Sequence, residues 1–151
     1  MKEENKSQGK EPIELLSQTL IEAGFEDVKG ICGTYVSFKW RDHLFCATLE
    51  EDYVKISEPY FLLMNTGCKE EEYLNIVLEK YFETYSGEFV LKRWDREDDK
   101  TLFGIYCYKT NTYPDFAPKK MKSIVLSIAV AGEWIKSHVL VCMKHGGWPY
   151  D

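Results

Sequence analysis

The stretch WRDHLFC, residues 40–46, places a carboxylate, an imidazole and a thiol close together as Asp42, His43 and Cys46. Such groups could act as base and nucleophile, or as metal ligands. His43 and Cys46 have opposite parity, so on one continuous strand they point to opposite faces of a sheet. A catalytic triad or a metal site needs further side chains from elsewhere in the chain, and no sequence motif identifies them. We therefore interpret this stretch as a hairpin tip, with Asp42 and His43 in the turn.

A second group has the spacing i, i+4, i+7 on one predicted helical face: His138, Cys142 and His145. These are zinc-ligand types, and that spacing brings them to one side of a helix. Against this, His138 and Cys142 share a stripe with Ile135, as core residues do. His145 also precedes Gly146 as expected at a helix C-terminus, where a basic group and a glycine cap are favoured. We assign no metal ligand, and keep small-molecule or metal binding by this face as the alternative.

The sequence contains no P-loop, GxGxxG, GxSxG or HExxH motif. The five cysteines are scattered without a CxxC pair, which indicates reduced thiols in the cytosol. No catalytic residue and no cofactor are therefore assigned, and we expect a protein that is not an enzyme.

The amino-acid composition limits the classes of partner that the chain is expected to bind. The 151 residues fit one domain, and 19 basic against 25 acidic residues give a net charge of −6. A basic stripe for nucleic acid is lacking, and an anionic membrane would repel the chain. No uninterrupted apolar run approaches the ~20 residues of a membrane span. The polar start is unlike a secretory signal, so we expect a cytoplasmic protein.

Helical periodicity appears three times, after a polar tail at residues 1–11. The predicted helices cover residues 12–23, 69–85 and 119–144, the last with a break allowed near Gly132. Residues 12–145 form the predicted domain, and 146–151 a short C-terminal tail.

Strand periodicity covers the intervening segments. The predicted strands are 36–41, 44–49 and 53–57, ended by Pro59, then 88–94 and 101–109. The order α-βββ-α-ββ-α predicts an α+β fold, a two-layer sandwich of an antiparallel sheet with helices.

Aromatic residues are abundant, with ten tyrosines, eight phenylalanines and four tryptophans. Tyr106 and Tyr108 share one face of a predicted strand. If helices cover only one side of the sheet, a partner could cover the other, and aromatic anchors favour such interfaces. We take Tyr106, Tyr108 and Trp40 as candidate binding residues, although ordinary core and surface positions explain them equally well.

The pattern of elements resembles the type III secretion chaperone-like fold, and within it the YbjN family of bacterial regulators. The segments that carry the resemblance are PIELLSQTLIEAGFE, VSFKWRDHLFCATLEEDYVKISEP and EEEYLNIVLEKYFETY. The resemblance spans about residues 12–143, and the long apolar final segment departs from it. It implies a domain that dimerises and binds extended segments of a protein partner.

Together these points predict a non-enzymatic, cytoplasmic protein-interaction module, chaperone-like or regulatory. Its expected partner is a polypeptide, and we expect neither nucleic acid nor membrane as a partner. A homodimer is the assembly that the resemblance implies, and the residues themselves leave the oligomeric state open.

Overall fold

The computed structural model describes residues 11–51, 53–84, 89–107 and 117–150. The described helices are α1 (Pro12–Glu22), α2 (Lys69–Thr84) and α3 (Pro118–His145). The described strands are β1 (Glu26–Cys32), β2 (Tyr35–Trp40), β3 (His43–Leu49), β4 (Val54–Asn65), β5 (Phe89–Asp95) and β6 (Lys100–Cys107). The predicted α+β fold is confirmed. The predicted tail lies outside the described residues, except for its last residue, Glu11.

The strands form one antiparallel sheet in the order β1-β2-β3-β4-β6-β5. β1 precedes the three strands that the sequence predicts before α2. It is almost wholly exposed and pairs irregularly with β2. Because neither face of β1 is buried, its residues do not alternate between apolar and polar, and the sequence pattern does not predict this strand.

The hairpin at residues 40–43 is confirmed. Trp40 pairs with His43 across a two-residue turn, in which Arg41 has a φ of 56°. His43 is the first residue of β3 rather than part of the turn.

The prediction that Pro59 ends the meander is wrong, because β4 continues through it to Asn65. Glu58 pairs with Ile105 and Leu62 with Phe103, so three residues of β4 lie opposite one of β6. A bulge of this kind interrupts the hydrogen-bond ladder, and proline is tolerated there despite its missing N–H.

The helices form the second layer. α1 packs against β1 and β2, α3 packs against β4 and β6, and α2 packs against α3. Alternate strand residues point into the core between the layers, among them Val36, Phe38, Phe45, Ala47, Val54 and Ile56.

α3 is one helix of 28 residues, without a break at Gly132. Gly132 is buried where α3 crosses the sheet, and a Cβ built on it would lie 2.8 Å from Cε1 of Phe61. The glycine therefore allows close packing of helix on sheet. The buried stripe of α3 repeats every three or four residues: Met121, Val125, Ile128, Gly132, Ile135, Val139 and Cys142.

By length and composition alone, α3 could cross a membrane. Its most apolar 18-residue window has a mean hydropathy of 1.6, and 39% of that window is buried. Its core stripe packs on the sheet, and the core helix of a soluble protein meets the same criteria, so this is weak evidence for a span.

Candidate functional site

The fold separates the chemical groups of the 40–46 stretch. His43 Nδ1 lies 3.0 Å from Glu58 Oε2, and His43 Nε2 lies 3.6 Å from Glu133 Oε1 on α3. The Cys46 thiol instead contacts the Tyr35 hydroxyl, and burial raises the pKa of this thiol. His43 and Cys46 thus have different partners, as their parity predicts, and they form no nucleophile–base pair.

The contact between His43 and Glu58 is a polar pair that sequence reasoning missed. Glu58 is only 4% exposed, and its Oε1 is buried without a hydrogen-bond partner among the described residues. The pair joins β3 to β4, and through Glu133 it also reaches α3. An acid–base role would need a cavity for a reacting group beside it. Neither His43 nor Glu58 lines the concave surface that runs along α3.

The structure does not bring the side chains of His138, Cys142 and His145 together, although the sequence places them on one predicted helical face. Cys142 lies in the hydrophobic core, where burial raises its pKa. His138 Nδ1 donates a hydrogen bond of 2.8 Å to the Trp134 carbonyl, and His145 is exposed at the end of α3. Across the described part of the chain, no three His, Cys, Asp or Glu residues are placed to hold a metal ion.

The candidate aromatic residues of the sheet do not yet define a site. Trp40 is half-buried against the core, with the Arg41 guanidinium 4.5 Å from its ring centroid. The backbone of Tyr106 pairs with Ser57 and Val90. The Tyr106 side chain and all of Tyr108 lie outside what the structure describes, so their role stays a prediction.

A concave surface lies along α3, on a different side from its core stripe. We call it the α3 groove, and it has a volume of 550 Å³. The described residues that line it are Tyr81, Lys119, Lys122, Ser123, Leu126, Ser127, Val130, Ala131 and Trp134. α2 contributes Tyr81, and all the others belong to α3.

Two parallel rows of side chains shape this groove. Leu126, Val130 and Trp134 follow one another at i, i+4 and i+8 and form a ridge. A second row, again at i, i+4 and i+8, contains only small residues: Ser123, Ser127 and Ala131. The small row is therefore a channel beside a ridge of large apolar residues.

Two features of the groove favour its burial by a partner. Val130 is 69% exposed, and an apolar side chain at a solvent-exposed helix position contributes no stability unless something covers it. The Ser127 hydroxyl donates to the Ser123 carbonyl at 2.9 Å. That hydroxyl keeps its hydrogen bond if the channel is covered.

One end of the groove is fixed by an aromatic cluster, defined as Tyr81, Trp134, His138, Trp148 and Tyr150. Ring centroids lie 5.6 Å apart for Tyr81 and Trp134, and 3.9 Å apart for the stacked Trp134 and His138. The Trp148 ring centroid lies 5.6 Å from that of His138 and 6.4 Å from that of Trp134. The C-terminal tail therefore folds back onto α3 and holds the Trp134 wall of the groove in place.

The other end is basic. Lys119 and Lys122 line the groove where α3 begins, and no acidic side chain is among its described lining residues. The positive charge of this end is opposite in sign to the net charge of the whole chain, which is −6. The groove thus runs from a positive end to an aromatic end.

Sequence reasoning traced the core stripe of α3 and missed the ridge of Leu126, Val130 and Trp134. The signal was present, since these apolar residues are left over once the core stripe is assigned. A helix with one buried face normally shows polar residues on the opposite side.

Comparison with family models, with curated proteins and with solved structures finds no match for this chain.

Proposed function

We propose that this protein is a non-enzymatic polypeptide-binding module, and that its α3 groove receives an amphipathic helix of a protein partner. The observation that carries the proposal is the apolar ridge beside a channel of small residues, in which Val130 is exposed and Leu126 and Trp134 are partly buried. Exposed contiguous apolar surface of this kind commonly marks an interaction site.

The occupant follows from how helices pack. Rows at i, i+4 on one helix accept the corresponding ridge of another, and small residues let the two backbones approach. From Lys119 to Trp134 the lining extends over about 22 Å at 1.5 Å per residue, the length of about 15 helical residues. In helix-in-groove binding, the partner helix places apolar side chains at positions i, i+3, i+4 and i+7 into the groove.

The same features favour a polypeptide over a small molecule. Small-ligand sites usually combine an enclosed apolar pocket with a few convergent polar groups. Here the charged lining groups, Lys119 and Lys122, both lie at one end, while the apolar ridge continues for two further turns. An elongated partner contacts all of it at once.

The test uses an amphipathic helical peptide of about 15 residues, with leucines at helical spacing and glutamates on its polar face. We expect saturable one-to-one binding to the full chain by calorimetry. Val130→Glu puts a charge in the centre of the groove and should weaken binding at least tenfold, which corresponds to about 1.4 kcal/mol.

Leu140→Glu is the matched control. Leu140 is 65% exposed against 69% for Val130, lies on the same helix and does not line the groove. We expect near-wild-type affinity for this variant and unchanged folding of both, checked by circular dichroism. Equal loss in both variants, or no saturable binding by the wild-type chain, contradicts the proposed function.

A further inference from the structure

We infer that the partner helix is acidic at the end that lies over the start of α3, and apolar or aromatic at the end that meets Trp134. This inference rests on the proposed function, and it adds the chemistry and the orientation of the partner. Its basis is the distribution of charge along the groove.

The start of α3 concentrates positive charge. Lys119, Lys120 and Lys122 fall in the first five residues, and the first turn holds no acidic residue. Lys119 and Lys122 both line the groove, and neither forms an ion pair with another described residue. No described residue therefore neutralises these two charges at ion-pair distance, and an acidic partner would do so.

Helix stability does not explain these lysines. The N-terminus of a helix carries the positive end of the macrodipole, so acidic residues are favoured there and lysines are not. α2 follows that rule, with Glu70, Glu71 and Glu72 in its first turn. α3 reverses it, and an acidic partner would interact favourably with both the lysines and the dipole.

The lining residues at the opposite end of the groove carry no charge, although Lys80, which does not line the groove, has its Nζ 5.8 Å from the Trp148 ring centroid. Its lining residues there are Val130, Ala131, Trp134 and Tyr81, and the Trp134 ring is held between Tyr81 and His138. A large apolar side chain on the partner fits this wall. The two ends together select one direction of the partner helix.

The experiment compares two peptides with the same apolar anchors, one carrying two glutamates and the other two lysines at the end expected over Lys119 and Lys122. We expect the glutamate peptide to bind at least tenfold more tightly to the wild-type chain at low salt, with the difference shrinking as salt rises. The double variant Lys119→Glu and Lys122→Glu should reverse this order.

Lys120→Glu is the control, since Lys120 is exposed and adjacent but does not line the groove. It relieves the same unfavourable charge at the helix start, so it should raise the melting temperature slightly while keeping the preference for the glutamate peptide. A reversal of preference in this control would mean that general charge, and not the groove, selects the partner, and would overturn the inference.

The outcomes separate the two proposals. Equal binding of both peptides overturns the acidic end and leaves the polypeptide groove standing. Binding of neither peptide overturns both. If neither binds but vesicles containing phosphatidylserine do, and the double variant loses that binding, then the lysine end serves a membrane surface and both proposals are wrong.

Discussion

At the scale of single residues, the structure distinguishes the thiols that the sequence treats alike. Cys32 is exposed, and hydrogen bonds from Thr34, chiefly from its backbone, lower the pKa of the thiol. Cys46 and Cys142 are buried, and burial raises the pKa of each. Because the thiolate is the reactive form, a lowered pKa means more nucleophile at neutral pH.

We therefore expect iodoacetamide at neutral pH to alkylate Cys32 well before Cys46 or Cys142, as read by peptide mass mapping. Cys32→Ser should remove the labelled peptide that contains residue 32 and leave the labelling of Cys46 and Cys142 unchanged. In denaturant the three sites should react at similar rates, since the differences come from the fold. Early labelling of Cys142 in the folded protein would contradict its burial in the hydrophobic core.

Residue-scale prediction succeeded where chemistry is local. The opposite parity of His43 and Cys46 and the hairpin between β2 and β3 follow from neighbouring residues alone. The contact between His43 and Glu58 could not be predicted in this way. It depends on the lateral pairing of β3 and β4 and on the approach of α3, neither of which is encoded within a short window.

At the scale of elements, Gly132 explains how α3 lies so close to the sheet. A glycine inside a helix normally costs about 1 kcal/mol relative to alanine. Here the added Cβ would lie 2.8 Å from the Phe61 ring, which is only 3% exposed. The ring has little room to move, so crowding should outweigh the gain in helix propensity.

We expect Gly132→Ala to lower the free energy of unfolding by about 1–3 kcal/mol, the usual range for overpacking. Urea denaturation measures this directly. Ser137→Ala, on an exposed face of the same helix, serves as control and should change stability by less than about 0.5 kcal/mol. A Gly132→Ala protein more stable than wild type would show that the ring yields and that the contact is not tight.

Periodicity correctly predicted α3. Its apolar stripe from Met121 to Cys142 predicts a long helix despite many β-branched residues, and that prediction is confirmed.

The prediction that a strand ends at Pro59 in β4 was wrong. Proline cannot donate to the hydrogen-bond ladder, but a bulge accommodates it within the strand. The bulge depends on pairing with β6, which lies some 40 residues further along the chain and is invisible to a local window.

At the scale of the whole molecule, the order of elements predicts the α+β class, but it does not predict where a partner binds. The predicted site lay on sheet aromatics. The α3 groove arises only when α2 packs beside α3 and the C-terminal tail folds back onto Trp134. Such contacts between distant segments have no signature in sequence spacing.

Both edges of the sheet carry a lysine at the centre of the edge strand, Lys29 in β1 and Lys92 in β5. Symmetric antiparallel pairing of two copies about these residues would place lysine opposite lysine, which is unfavourable. The homodimer implied by the fold resemblance stays a prediction, and edge-to-edge pairing is a poor route to it.

The central claim is that the α3 groove receives a helix, and the most direct measurement is chemical-shift mapping of the ¹⁵N-labelled full chain with the amphipathic peptide. We predict saturable shifts concentrated at Leu126, Val130 and the Trp134 indole, with β1 and the β2–β3 hairpin unaffected. Shifts centred on the sheet, or none that saturate, would contradict the claim.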